Sequence, residues 1–264
     1  MNIQAIPDWQ VNKVAASFTR AATRYDKAAR LQRTTGSMLF EKLGNDLKSG
    51  QSILDIGAGT GFCTQRLASS GAQVIALDIA PSMLVQARLR VGAGASYIRA
   101  DTQSIALQAN TVDLIFANLA LQWCVDLGAV FREFRRVLDD AGQILFSAPG
   151  PDTLCELRKA WQEVDQYRHV NDFFDSDYLQ QQLENAGFGG NIETRVIQLE
   201  YSSPMQLMQE IKTIGAVNMS AQRLRGLTGK QRLQRVCEEY DRLMEYSITK
   251  ATWEIMIGEY RCVN

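Results

Sequence analysis

The sequence predicts an α/β chain, a mostly parallel sheet covered by helices on both faces. Three observations carry this. Short β-rich runs alternate with helical patterns through the first half of the chain. The strand candidates are almost continuously apolar, as strands buried on both faces are. A glycine-rich turn joins the first of them to the helix that follows.

Two helical stretches, roughly 10–24 and 28–47, precede the first strand. The strand candidates are SILDI (52–56), QVIAL (73–77), ASYIR (95–99), VDLIFAN (112–118) and QILFSA (143–148). FCTQRLASS, PSMLVQARLR and LGAVFREFRRVL read as the helices between them. The last carries Leu127, Val130, Phe131, Phe134 and Leu138 at helical spacing, the apolar stripe of a helix lying on a sheet. Pro81 suits a first helical turn, where its missing N–H costs nothing. Residues 152–187 read as helical up to Gly187. NIETRVIQLEY (191–201) and ATWEIMIGEY (251–260) follow as late strands, with helical patterns around 204–219 and 229–246 between them. The expected organisation is one elaborated domain over 1–264. Residues 1–48 form an N-terminal helical lid and 49–150 a cofactor-binding core. Residues 151–250 supply substrate-side helices and a further lid, and 251–264 the last strand.

Of the 264 residues, 46% are apolar and 22% charged, which is ordinary for a globular protein and enough for a sizeable core. The net charge of −1 argues against a nucleic-acid binder. No apolar run approaches the ~20 residues that cross a bilayer, and the N-terminus lacks a basic start followed by an apolar stretch. Neither a membrane nor a nucleic acid is therefore an expected partner. Five scattered cysteines without a CxxC, and one histidine, lack metal-ligand spacing. No metal is expected, and the thiols read as reduced, in a cytoplasmic protein.

The sharpest local feature is LDIGAGTG, residues 54–61. Glycines there let the chain turn tightly and approach a ligand closely. A dinucleotide fingerprint would carry a third glycine where Phe62 stands. Asp55, just before the first glycine, would repel a pyrophosphate and suits a cationic ligand end instead. Asp78 ends the second strand, where related folds place a carboxylate on ribose hydroxyls. Met83 lies just inside the next helix, where it can face an adenine. Asp101 follows the third strand, where it can accept an adenine amino group, and Asn118 closes the fourth. A turn without a ligand, a capping aspartate and a core methionine are the plain alternatives at these positions. Their order along successive strand ends joins them, because open α/β sheets bind ligands at the carboxyl ends of their strands.

Those residues, LDIGAGTG, LDIAPSML, AD at 100–101 and ANLALQWC at 117–124, resemble the motifs of Rossmann-like class I S-adenosylmethionine methyltransferases. The resemblance implies a seven-stranded sheet whose last strand is antiparallel. It implies S-adenosyl-L-methionine as cofactor and S-adenosyl-L-homocysteine as product. Asp55, Gly57, Ala58, Gly59 and Gly61 would hold the methionine part, Asp78 the ribose, and Met83 and Asp101 the adenine. Ile79, Thr102, Asn118 and Leu119 would complete the cofactor site. VNKVAASFTRAATRYDKAARLQR, NLALQWC, TLCELRKAWQEVD, HVNDFF, LMQEIKTIGAVN and GLTGKQRL are similar to segments of the malonyl-acyl-carrier-protein O-methyltransferases, which begin pimelate assembly for biotin. The AGTG form of the turn departs from the CGxG of many members. Complex I assembly proteins that hydroxylate an arginine share the DTL-ELR pattern and a similar lid. The intact FTRAATRYDKAARLQR and QWC segments favour the methyltransferase. Another small-acid methyltransferase and a non-enzymatic cofactor carrier remain alternatives on the same fold.

The implied acceptor is the free carboxylate of malonyl-acyl-carrier protein or malonyl-CoA. A carboxylate with a solution pKa near ~4 is already a nucleophile at neutral pH. No general base is required, and the chain shows no Ser/His/Asp or Cys/His arrangement. Arg158 and Tyr25 are the candidates for holding the acceptor. Gln122, Trp123, His169, Asn171 and Lys212 are the candidates for lining its side of the site. Arg223, Arg225, Lys230, Arg232 and Arg235 fall in a stretch, 222–235, without an acidic residue, and form a candidate docking patch for an acidic carrier.

Overall fold

A computed structural model describes residues 10–44, 47–219, 229–245 and 247–263. The strands are β1 (Ser52–Ile56), β2 (Gln73–Asp78), β3 (Ala95–Arg99), β4 (Val112–Asn118), β5 (Leu138–Pro149), β6 (Phe188–Tyr201) and β7 (Thr249–Cys262). They form one seven-stranded sheet in the order β3-β2-β1-β4-β5-β7-β6. β1 to β5 pair in parallel, and β7 runs antiparallel to both β5 and β6. The predicted class, a mostly parallel sheet with an antiparallel last strand, is the one observed. The order reverses between β1 and β4, and at such a switch point the loops diverge and leave a crevice.

Side chains along β1 alternate between two cores, because successive strand residues face opposite ways. Ile53 joins Leu114, Phe116 and Ile255 under α2 (Arg30–Leu43), α3 (Phe62–Ala68), α6 (Cys155–Gln162) and α9 (Lys230–Leu243). Leu54 joins Ile115, Ile144 and Phe146 under α5 (Leu127–Val137) and α7 (Ser176–Asn185). The stripe predicted on α5 is buried along its length, and Asp126 caps the helix by accepting from Ala129 N at 2.9 Å. α4 (Pro81–Val91) begins at Pro81, as its fixed φ favours. α1 (Val11–Ala21) and a short 3-10 helix (Tyr25–Lys27) lie before α2, and α8 (Pro204–Thr213) follows β6.

The structure departs most from the sequence reading in two places. β5 begins directly after α5, at Leu138, with a register shift against β4 between Val112 and Leu114, so it is longer than 143–148. The stretch 152–187 is not one helix; it holds α6 and α7 with 163–175 irregular between them. The reason is local competition for hydrogen bonds. Asp165 Oδ1 accepts from Tyr167 N at 3.0 Å and contacts His169 Nε2 at 2.8 Å, and Asp175 caps α7 by accepting from Tyr178 N at 2.8 Å.

Candidate active site

The crevice sits where the carboxyl ends of β1, β2 and β4 meet α1 and the 3-10 helix after it. Its floor is the glycine turn. Gly57, Gly59 and Gly61 all have positive φ (64°, 56° and 82°), which a side chain would strain. A Cβ on Gly57 would stand 2.7 Å from that of Ala120, so the turn can press against the β4 loop only as glycine. Ala58 N donates to Leu77 O at 3.0 Å, which stitches the turn to β2. Gly61 has a different task from the one predicted. It lines neither cavity described below, and a Cβ there would reach 2.9 Å from Ala87 Cα, so it lets α3 and α4 pack.

Two carboxylates stand under this turn. Asp78 accepts from Gly59 N at 2.9 Å and Ala80 N at 2.8 Å. Burial pushes its pKa up to about 6 against those stabilising hydrogen bonds. Asp55 accepts from Thr64 Oγ1 at 2.6 Å, and burial pushes it up to about 7. Two buried acids so close to neutrality are poised to ionise fully when a positive group arrives.

Asn118 ties roof to floor. Its Oδ1 accepts from Thr35 and Ser147, each at 2.8 Å, and its Nδ2 donates to Gln32 O at 2.8 Å. α2 comes this close because Gly36 has no side chain; a Cβ there would lie 3.0 Å from Cys63 Sγ. The neighbouring Leu119 has a φ of 49°, held by its N–H to Ser147.

The main cavity brings together Gly57, Gly59, Asp78, Ile79, Met83, Asp101, Thr102, Asn118, Leu119, Gln122, Trp123 and Tyr25, all of them predicted. A smaller cavity shares Tyr25, Gly57, Gly59 and Asn118 and adds Asp55 and Ala58. The sequence reading missed the roof of the main cavity, which consists of Val11, Val14, Phe18, Gln32 and Ala216. Phe18 packs edge-on against Trp123 with ring centroids 5.3 Å apart, which closes an apolar compartment. The signal for Gln32 was its place on the same helical face as the small residues Thr35 and Gly36. Burial, and then the charge of Asp78, push the Tyr25 phenol far above its ordinary value, so it stays a neutral donor.

The other acceptor candidates lie elsewhere. Arg158 is not in the cavity, because its guanidinium donates to Pro151 O at 3.0 Å and Thr153 O at 3.4 Å and so holds the loop after β5. It lines a separate cleft with His169, whose ring stacks on Trp161 at 3.6 Å. Asn171 is buried and accepts from Met219 N at 3.0 Å. Lys212 is exposed on α8 and lines neither cavity. Among the docking candidates, Arg223 and Arg225 lie outside the described residues. Lys230 is exposed, Arg232 stands over the Tyr167 ring at 5.8 Å beside the cleft, and Arg235 donates to Glu163 O at 3.4 Å.

Residues 54–146 match the model of a methyltransferase domain family. The malonyl-[acyl-carrier protein] O-methyltransferase of Gallionella capsiferriformans is 38% identical over 253 residues, which cover 92% of this chain and 87% of that protein. The chain belongs to the malonyl-[acyl-carrier protein] O-methyltransferase family. The member from Yersinia pestis is 40% identical over 90% of this chain and 88% of its own length. A biotin biosynthesis bifunctional protein of Cellvibrio japonicus is 40% identical over 92% of this chain, which spans only 48% of that longer protein. Solved structures agree on the fold. A putative methyltransferase from Bacillus halodurans superposes with a TM-score of 0.64 at 15% identity, covering 88% of this chain and 100% of that one. A phosphoethanolamine N-methyltransferase of Haemonchus contortus, solved with S-adenosyl-L-methionine, gives 0.57 at 17% identity, covering 93% and 57%. Family and fold thus place this chain among class I methyltransferases.

Proposed function

We propose that the chain transfers a methyl group from S-adenosyl-L-methionine to the free carboxylate of a malonyl thioester. The thioester is carried on acyl-carrier protein or coenzyme A, and the ester formed starts pimeloyl assembly for biotin. The observation that carries this reading is a cavity with two unlike ends. One end is polar and acidic around Asp55, Asp78 and the glycine turn; the other is the apolar compartment under Phe18 and Trp123.

The residues present fit the cofactor. Gln32 Oε1 is buried without a hydrogen-bond partner among the described residues, and Gln32 lines both cavities, as an acceptor for an ammonium group should. Asp78 offers a carboxylate to ribose hydroxyls, and Met83, 1% exposed, offers a flat apolar wall to the adenine. When bound, S-adenosyl-L-methionine supplies a methyl carbon on a positive sulfur, which takes back the C–S electron pair as the acceptor oxygen bonds to that carbon.

The chain's own contribution is placement. Val11, Val14, Phe18 and Trp123 exclude water from the acceptor side, and holding the reactants in line can contribute ~7–11 kcal/mol. Tyr25 donates a hydrogen bond to the acceptor carboxylate and leaves its nucleophilic oxygen free. Lys230, Arg232 and Arg235 on α9 would meet the carrier, and Arg158 and His169 line the cleft beside Arg232. Five free thiols suit the reducing cytoplasm where such carriers work.

The test is the mass of malonyl-carrier protein after incubation with cofactor, in which one alkali-labile methyl is expected. A methyl on protein side chains, or none, overturns the reading. Salt should raise KM for the carrier, because exposed charges are screened within ~10 Å at 0.1 M.

A further inference from the structure

Gln122 belongs to the short 3-10 helix Leu121–Trp123, is 8% exposed, and lines the main cavity beside Trp123. Its Nε2 donates to Leu119 O at 2.7 Å. That bond decides which way round the amide stands, since the reverse would set Oε1 against a carbonyl oxygen, acceptor facing acceptor. Oε1 is therefore the free end, and it is buried with no hydrogen-bond partner among the described residues. A buried acceptor left unmatched is expensive, and at the wall of a binding cavity it marks where a ligand brings a donor.

The reacting end of the acceptor has no donor to give. A malonyl thioester presents carboxylate oxygens, a carbonyl oxygen and sulfur, and a carboxylate brought against Oε1 would be repelled. Behind the thioester, the first donor along a pantetheine arm is an amide N–H. We propose that Gln122 Oε1 accepts a hydrogen bond from an amide N–H of the acceptor's pantetheine arm and so fixes how far the malonyl group enters. Gln122 is then a positioning residue. It measures arm depth, while Phe18 and Trp123 exclude water around the carboxylate. This inference rests on the malonyl thioester reading. The cofactor's own donors would find acceptors elsewhere in the cavity: the ammonium Gln32, the ribose hydroxyls Asp78, and the adenine amino group Asp101 and Thr102.

Two small substrates isolate the N–H: the malonyl thioester of N-acetylcysteamine, and its counterpart on O-acetyl-mercaptoethanol, in which an ester oxygen replaces the amide nitrogen. The native protein should favour the amide by tenfold or more in kcat/KM. Gln122→Met, which keeps length and removes the acceptor, should reduce that preference to within twofold. The same variant should raise KM for malonyl-carrier protein by tenfold or more with kcat changed much less, and bind S-adenosylhomocysteine within twofold of the native protein by calorimetry. Lost S-adenosylhomocysteine affinity with acceptor KM retained assigns Oε1 to the adenine and overturns the inference. A preference equal in the native and variant proteins also overturns it. If the native protein methylates no malonyl thioester of any kind, the reading of the reaction fails first.

Discussion

The floor and the roof of the cavity are built on different principles. The floor lies at the carboxyl ends of parallel strands, and bonds from its backbone N–H groups fix it: Ala58 to Leu77 O, and Gly59 and Ala80 to the Asp78 carboxylate. Apart from Gln32 on α2, the roof comes from α1, the 3-10 helix and Ala216, and polar clasps hold that part. Ser17 Oγ donates to Gly215 O at 2.9 Å, and Asp26 pairs with Arg90 at 2.5 Å while accepting from Thr60 Oγ1 at 2.7 Å. The apolar support of the roof is small, Val14 with Met219 in one cluster and Ala22 with Ala80 and Met83 in another. A floor that is part of the sheet opens only with the fold, whereas a clasped roof can open by itself. We infer that the proposed cofactor end is preformed and that the proposed acceptor end is the part able to open.

The largest effect expected is on the floor. Gly57→Ala combines a positive φ with a Cβ 2.7 Å from Ala120, and the turn or the β4 loop must shift to relieve the clash. Overpacking of this kind costs ~1–3 kcal/mol, with ~1 kcal/mol more for the left-handed backbone. Calorimetry with S-adenosylhomocysteine should show affinity lost by about a hundredfold or more. A loss smaller than tenfold would mean that the floor yields as readily as the roof.

Next comes Asp78→Ala, which removes the acceptor for Gly59 N and Ala80 N together with the proposed ribose contact. Each such bond is worth ~0.5–3 kcal/mol, so affinity should fall about tenfold to a hundredfold, with some loss of Tm. Unaltered affinity would remove the ribose role.

Protonation tests the same end without mutation. Asp55 and Asp78 titrate near about 7 and about 6, above the ~3.9 of an unfolded chain, so both are destabilising when ionised. Their contribution to stability is fully present below ~3.9 and is lost as pH rises through about 6 to 7. A positively charged cofactor end favours the ionised forms. Its affinity should thus weaken about tenfold between about pH 8 and pH 6, with protons released on binding. Titration in buffers of different ionisation enthalpy measures that release, and a heat independent of buffer would deny the coupling.

This contrast also explains what the sequence disclosed. Asp55, Asp78, Asp101 and Asn118 each lie at or just beyond the carboxyl end of a strand, so position along the chain already implied position in the site. Phe18, Gln32 and Ala216 carry no such mark. They reach the cavity through packing between distant segments, and α2 approaches only because Gly36 leaves room. Arg158 lies outside the main cavity for a related reason: the loop after β5 has carbonyls that need donors, and its guanidinium donates to two of them. A fold rule locates residues at strand ends; it says nothing about which arginine the backbone will claim.

The smallest effect concerns the clasp itself. Asp26→Ala frees Arg90 and Thr60 from the 3-10 helix. The Asp26 carboxylate is 40% exposed, so solvent screening leaves the pair worth ~0–1 kcal/mol. For a chain of this size that is a Tm shift of no more than ~2–4 °C. S-adenosylhomocysteine affinity should change by less than about threefold, because the floor keeps its own bonds. Amide exchange across 11–27 should quicken while β1 and β4 stay protected, since local opening of the roof then costs less. Faster exchange in the strands as well would show that roof and floor open as one unit, and the distinction between a preformed cofactor end and a movable acceptor end would be lost.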